Sequence, residues 1–182
     1  MTPSRRNITP RLMKPELDRF RPQFSSAQVC AVAGIDTDTL KNWVSREKPR
    51  VVFLSGAERK KIGGRTTIEY SFARVMQITI TAELVRLGLP PRRAALLAGS
   101  FTDLEDGPLP GRPDRGRCEL FKTGKTLMVA LVGNDCAQIV NFRDGMAWSE
   151  LENSVGFDFL SAVILDLTKI DSRVRAALAK SD

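Results

Sequence analysis

The chain has 182 residues, 42% of them apolar, and a net charge of +7, which fits one domain of ordinary size or two small ones. No apolar run approaches the roughly 20 residues that span a bilayer, no secretory signal follows the basic N-terminus, and three widely spaced cysteines do not form a disulfide framework, so a cytoplasmic protein is expected. The chain contains no histidine, the commonest general base and transition-metal ligand, which favours a binding protein without cofactor or metal over an enzyme.

Charge is distributed unevenly along the chain. Residues 1–99 carry 18 Lys and Arg against 8 Asp and Glu, a balance of +10, whereas residues 100–182 carry 10 against 13, a balance of −3. A basic half of this kind indicates a polyanionic partner. Residues 1–23 show no helical or strand period, which predicts a flexible basic arm. Its basic side chains are Arg5, Arg6, Arg11, Lys14, Arg19 and Arg21.

Two short helices are predicted from residue 24 onward. Ser25 and Gln28 have the spacing of a capping box at the start of the first helix. Gly34 ends that helix because glycine tolerates left-handed backbone geometry, and Asp36 caps the second helix. The inner face of the second helix is apolar and contains Leu40, Trp43 and Val44.

A β-hairpin with a basic tip is predicted next. Residues 50–54 form its first strand, residues 55–65 its loop and residues 66–70 its returning strand. The loop places four basic side chains at the tip: Arg59, Lys60, Lys61 and Arg65.

A long helix and a short helix follow the hairpin. Ser71 caps the long helix, which runs to about Leu87 and is apolar over most of its circumference, with a narrow polar stripe. Such a helix packs against more than one neighbour. Pro90-Pro91 begins the short helix, which ends at Gly99, so the N-terminal domain spans residues 24–99. The polar stripe of the long helix consists of Arg74, Gln77 and Thr81.

The remaining residues predict a second unit. Residues 100–117 are rich in Pro and Gly and predict a linker, and residues 118–182 predict a small α/β unit for association or sensing. This unit has strands at 126–132, 136–142 and 162–167 and a terminal helix capped by Asp171. The expected fold class is α+β, with an N-terminal winged helix-turn-helix domain and helix pair followed by the α/β unit.

The N-terminal part resembles the DNA-binding domain of the MerR family. The stretch "SSAQVCAVAGIDTDTLKNW" is similar to that family's opening helix-turn-helix, and "IEYSFARVMQITITAELVRLGLPPRRAALLA" to its wing exit and helix pair. The resemblance covers residues 24 to about 99 and implies a winged domain that binds double-stranded DNA. In place of the family's long coiled-coil helix, this chain has the Pro/Gly segment and the α/β unit.

The second helix and the hairpin hold the predicted DNA contacts. Base edges are reached from the N-terminal half of a helix in the major groove, where Asn pairs with adenine and Lys donates to guanine. The basic loop would contact the phosphate backbone. The predicted DNA-binding residues are Thr37, Asp38, Lys41, Asn42, Ser45, Arg46, Lys48, Arg59, Lys60, Lys61 and Arg65.

Other motifs favour no further site. "TGKT" at 123–126 lacks the upstream glycine of a phosphate-binding loop, because that position is Glu119. Cys30, Cys118 and Cys136 form no CxxC pair and have no histidine beside them, which disfavours metal or redox sensing.

Together these features favour a sequence-specific DNA-binding protein of the nucleoid, a transcriptional regulator. Two alternatives stay open: a phage-type architectural, excision or packaging DNA-binding protein, and a protein-interaction adaptor whose winged domain no longer binds DNA. A homodimer is expected, because helix-turn-helix proteins commonly double a small footprint by two-fold symmetry. The candidate pairing surfaces are the long helix and the strands at 126–132 and 162–167. The sequence specifies no effector ligand.

Overall fold

The computed structural model describes residues 18–45, 51–62, 64–106, 114–131, 133–156 and 161–180. Over these residues the fold is mixed α/β, as the sequence predicts, with six helices and small antiparallel sheets. The elements in chain order are β1 (Pro22–Phe24), α1 (Ser26–Ala33), α2 (Thr37–Val44), β2 (Arg59–Ile62), β3 (Arg65–Ile68), β4 (Tyr70–Ser71), α3 (Phe72–Arg86), α4 (Pro91–Thr102), β5 (Lys125–Leu131), β6 (Gln138–Phe142), α5 (Trp148–Val155), β7 (Ala162–Asp166) and α6 (Leu167–Leu178).

The predicted ends of α1 and the start of α2 are confirmed. Ser25 and Gln28 form both bonds of a capping box, so two backbone N–H groups of the first turn are satisfied. Gly34 has a φ of +62° and ends α1. The Asp36 side chain accepts a hydrogen bond from the Thr39 N–H at 2.6 Å and caps α2.

The last residues of the predicted flexible arm are ordered. β1 pairs antiparallel with β4, with Phe24 opposite Tyr70, and the carbonyl of Arg19 accepts a hydrogen bond from the Ala73 N–H at 2.9 Å. This bond satisfies one of the free donors in the first turn of α3. The arm prediction was therefore wrong for residues 18–23, and residues 1–17 lie outside the described residues.

The hairpin exists, but its predicted first strand was wrong. The strand is β2 (Arg59–Ile62), not residues 50–54, and it pairs with β3 so that Lys60 faces Thr67 and Lys61 faces Thr66. The basic residues therefore lie along a strand, and the turn falls after Ile62, with Gly64 at a φ of +80°. Residues 51–54 instead close the core beside α2, where the Val52 N–H donates to the Trp43 carbonyl at 2.9 Å.

Helix α3 lies at the centre of the fold. It contacts α1, α4, α6, β1 and β4, which confirms the prediction of several neighbours. Two members of the polar stripe are buried. The Gln77 side-chain amide donates to the Asp103 carboxylate at 3.3 Å, and the Thr81 hydroxyl donates to the Gln77 carbonyl at 2.7 Å. Internal hydrogen bonds therefore satisfy these buried polar groups.

Helix α4 continues past its predicted end, through Gly99 to Thr102. The fully buried Arg115 closes the region beyond it, pairing with Asp106 at 2.6 Å. Its guanidinium also donates to four main-chain carbonyls, which ties the end of α4 to the segment that follows it. These carbonyls belong to Ser100, Phe101, Leu104 and Gly116.

The last three strands form one antiparallel sheet in the order β6-β5-β7, close to the predicted positions. Asp171 does not cap the last helix. Asp166 does so five residues earlier, accepting from the Lys169 N–H at 3.0 Å. Asp171 is instead buried within α6 and paired with Arg175 at 2.7 Å. Because β7 passes directly into α6, the last residue of the strand is also the N-cap of the helix.

One buried cluster joins the two predicted units. It includes Leu40 of α2, Phe72 of α3, Leu97 of α4, Met128 of β5 and Val174 of α6. A second, smaller cluster lies between the other face of the sheet and α5, and includes Val129, Val140 and Leu151. The sheet is therefore covered on both faces, and α6 packs on α1 and α3.

Candidate nucleic-acid interface

Helix α2 presents one polar face and one buried face. Thr37, Asp38, Lys41 and Asn42 are exposed, as predicted from their spacing. Ser45, at the C-terminal end, is half-buried. The opposite face is held in the core by Leu40, Trp43 and Val44. Since a helix of only eight residues is marginal alone, this burial, rather than intrinsic propensity, stabilises it.

An ion pair lies on the exposed face. The Lys41 Nζ is 3.2 Å from the Asp38 carboxylate, one helical turn earlier, and their side chains are 71% and 87% exposed. Pairs this exposed contribute little to folding. They can therefore exchange their partner for a ligand at small cost.

Acidic groups at the start of α2 favour the helix. Hydrogen bonds from the Thr39 N–H and hydroxyl hold the pKa of Asp36 below its ordinary value. The positive end of the helix dipole favours the same ionised state. The cap therefore stays charged near neutral pH and fixes the first turn of α2.

Two arginines clamp the ends of α2 from other elements. The Arg86 guanidinium, at the end of α3, donates to the carbonyls of Ala33 and Gly34 at 2.5 and 3.0 Å. The Arg59 guanidinium, on β2, donates to the Val44 carbonyl at 2.6 Å. Arg86 thereby holds the turn before α2, and Arg59 caps the carbonyl end of α2, where a cation is favoured.

The Arg86 clamp continues into the last helix. Glu83 lies 3.1 Å from Arg86 and 2.5 Å from Arg173 of α6. Burial raises the pKa of Glu83, but the hydrogen bond and charge of Arg173 and the charge of Arg86 outweigh it, so the pKa lies below its ordinary value. A chain of charged contacts thus runs from the α1–α2 turn to α6.

The basic residues of the hairpin have different environments. Lys61 is exposed and has no ion pair with another described residue. Lys60 lies 2.5 Å from Glu69, and Arg59 is half-buried against α2. Arg65 lies in β3 opposite Ile62. The predicted contacts Arg46 and Lys48 lie outside the described residues.

Sequence reasoning missed Glu58, which holds the hairpin to α3. Its buried carboxylate accepts from the N–H and hydroxyl of Ser55, at 2.8 and 3.0 Å, and from those of Ser71, at 3.2 and 2.9 Å. Arg74 adds its charge at 3.6 Å. The spacing Ser55-x-x-Glu58 is that of a capping box, so a local signal for this role was present in the sequence.

The cysteines are three separate free thiols. Cys118 is buried, Cys30 half-buried and Cys136 exposed. Burial raises the pKa of Cys118 to about 12, so it stays a protonated, unreactive thiol near neutral pH. Within the described parts of the chain, no three His, Cys, Asp or Glu side chains group as a metal site would.

The stretch at 123–126 forms a turn into β5. Gly124 has a φ of +77° and Lys125 begins the strand. A phosphate-binding loop would lead into a helix instead.

Comparison with models of protein families and with curated proteins matches this chain to none of them. Among the described helices, none has the length and apolar character that a membrane crossing requires.

Proposed function

We propose that the protein binds double-stranded DNA sequence-specifically as a transcriptional regulator, with α1 and α2 as its helix-turn-helix and the β2–β3 hairpin as its wing. The observation that carries the proposal is the bond from Arg59 to the Val44 carbonyl. It places the basic hairpin directly beside the C-terminal end of α2. The C-terminal end of α2 and the first residue of the hairpin strand therefore lie side by side.

The chemistry of α2 suits base edges in the major groove. Its exposed face offers a donor in Lys41, an acceptor in Asp38 and an amide in Asn42 that can do both. These groups match the patterns of donors and acceptors that base pairs present there. The buried face keeps α2 fixed, so the polar groups are presented in one orientation.

The hairpin suits the phosphate backbone. Lys61 is an exposed cation whose charge is not neutralised by a described partner, and Lys60 can exchange Glu69 for a phosphate. Contacts of this kind fix the register of a protein on the duplex and make its affinity depend on salt. We infer that a homodimer is the DNA-binding species, because one eight-residue helix gives a short footprint.

The test is a fluorescence anisotropy titration of the full chain with genomic DNA fragments at several salt concentrations, followed by selection of bound sequences from a random pool. A regulator should bind with strong salt dependence and enrich one motif. Strong binding without enrichment would instead support the architectural or packaging alternative. Absence of salt-dependent binding would overturn DNA binding and leave the adaptor alternative.

A further inference from the structure

Strand β7 forms an open edge of the sheet. In the order β6-β5-β7, it pairs with β5 over five consecutive positions, from Ala162 opposite Leu131 to Asp166 opposite Leu127. Among the described residues, its other side has no backbone pairing partner. Its central residue, Ile164, is 37% exposed.

The edge lacks the features that normally prevent pairing. Natural edge strands carry charged residues, prolines or bulges that keep other strands away. Residues 162–165 are uncharged, contain no proline and pair in unbroken register with β5. The hairpin strand β2, by contrast, carries Arg59, Lys60 and Lys61. The opposite edge, β6, carries the polar side chains Gln138 and Asn141.

We propose that β7 pairs antiparallel with β7 of a second copy of this chain, which joins two three-stranded sheets into one of six strands. A two-fold axis at Ile164 places the two Ile164 side chains opposite each other. Val163 then faces Leu165 of the second copy, and both lie on the side of the main buried cluster. Such apolar cross-strand pairs stabilise a sheet.

The same register avoids charge repulsion. Asp166 is the only ionised residue of β7, and its side chain already caps α6. Pairing places it opposite Ala162 of the second copy, so the two carboxylates do not meet. The strand is thus complementary to itself in the antiparallel direction, which is the direction that already relates β7 to β5.

The interface is small, and its expected strength follows from that. Two five-residue strands bury less than the roughly 1,200 Å² of a standard interface, which places the pair among weak, reversible associations. The proposal deepens the proposed function, because pairing would present two copies of α2 to one duplex. The β7 geometry itself is independent of DNA, so the two proposals can fail separately.

The direct test is a symmetric cross-link, Ile164→Cys in a Cys136→Ser background. Residues opposite each other in an antiparallel pair have Cα atoms about 4.5–5.5 Å apart, within the range that a disulfide bridges. The matched control is Gln138→Cys. Gln138 and Ile164 both pair with Val129, so they lie in one row at opposite edges of the sheet.

Mild oxidation should convert most of the Ile164→Cys protein, and little of the Gln138→Cys protein, into a covalent dimer. No dimer from Ile164→Cys, or equal dimer from both variants, would overturn the proposal. Light scattering of the protein with its three native cysteines, over a range of micromolar concentrations, measures the oligomeric state independently. Ile164→Lys should shift the chain to monomer, whereas Gln138→Lys should not, with circular dichroism to confirm that both fold.

The DNA titration separates the two proposals. If the unaltered chain is a monomer and still binds DNA with strong salt dependence, the β7 pairing and the dimeric DNA-binding species are overturned, while the proposal of DNA binding itself stands. A β7-linked dimer that does not bind DNA would support the β7 pairing and overturn the proposed function.

Discussion

Two basic residues of strand β2 should respond differently to neutralisation of their charge. Lys61 is exposed and is expected to contact phosphate, whereas the Arg59 guanidinium is bonded to the Val44 carbonyl at 2.6 Å. Lys61→Gln should therefore reduce the salt dependence of DNA binding, and Arg59→Gln should mainly reduce stability. The two variants remove the same charge from residues on one strand, so each is the control for the other.

The expected effect of Lys61→Gln follows from counterion release. Each phosphate contact contributes about 0.9 to the slope of log affinity against log salt, so a fourfold rise in salt costs about 0.5 log units per contact. The proposed dimer carries two copies of Lys61, so between 50 and 200 mM salt the unaltered protein should lose about 12-fold more affinity than Lys61→Gln, as worked from twice that slope. Anisotropy titrations at four or more salt concentrations measure the difference.

The expected effect of Arg59→Gln follows from its hydrogen bond. A bond from a charged donor contributes about 1.5–3 kcal/mol when buried and less when half-exposed, so we expect a loss of about 1–2 kcal/mol. For a chain of this size, that lowers Tm by about 2–8 °C.

An unchanged slope of log affinity against log salt for Lys61→Gln would show that the hairpin does not contact DNA through this residue. A reduced slope with unchanged Tm for Arg59→Gln would show that Arg59 contacts phosphate instead of supporting α2.

Four further substitutions test the site and its support. Lys41→Ala and Asn42→Ala should each weaken binding to a selected sequence by about 1–3 kcal/mol more than binding to random DNA. Competition between the two DNAs measures this difference, and Lys122→Ala, at another exposed lysine, is the control. Equal losses on both DNAs would show that these residues contact only the DNA backbone. Arg115→Met should destabilise the fold by about 2–4 kcal/mol, because the carbonyls of Ser100 and Leu104 lose their hydrogen bonds from the guanidinium and the Asp106 carboxylate loses its ion pair. An unchanged urea midpoint would contradict this. The folded pKa of Glu83 lies below its ordinary value of 4.5, so its ionised form stabilises the fold above that pH and the contribution is lost as pH falls through the folded pKa. Glu83→Gln should lower stability at neutral pH and flatten its decline below pH 4.5, and an unchanged acid profile would show that the Arg86 and Arg173 contacts are not energetically coupled to it.

Local signals predicted the helix starts well. The caps at Ser25, Asp36 and Ser71 were all found from the sequence, because each depends on a side chain and a backbone N–H two or three residues away. The prediction at Asp171 shows the limit of the same signal. Asp166 is equally able to cap, and only the end of β7 decides between them.

The first strand of the hairpin was predicted at the wrong segment, because the residues with the strongest β-propensity pack beside α2 and do not pair with β3. Residues 51–54 have strong β-propensity, yet Val52 is buried beside α2 and its N–H bonds to Trp43. The segment with Arg59, Lys60 and Lys61 has weaker propensity but forms the strand. Its pairing with β3 satisfies the backbone, and the lysines extend into solvent. Tertiary context thus overrides β-propensity, which mainly measures packing.

Contacts between distant residues could not be predicted at all. Arg115 bonds to carbonyls 11 to 15 residues away, and Glu58 reaches Ser71 across 13 residues. In the sequence, Arg115 looks like an ordinary surface charge, and the spacing around Glu58 indicates only its local contact with Ser55. Their burial becomes possible only because several polar partners converge on each, and that convergence is a property of the whole fold.

The C-terminal residues therefore support the proposed DNA-binding surface through packing as well as pairing. Helix α2 is oriented by Arg86 of α3, and α3 is enclosed by α1, α4 and α6. Because α6 contributes Val174 to the same buried cluster as Phe72 and Leu40, removing it would expose apolar surface on α3 and leave Glu83 without Arg173. In a close-packed core, the loss of one element disturbs the packing of the side chains around it. Helix α6 thus supports the elements that hold α2. In the proposed dimer, β7 and α6, which are adjacent in sequence, would link the position of α2 to the distance between the two copies.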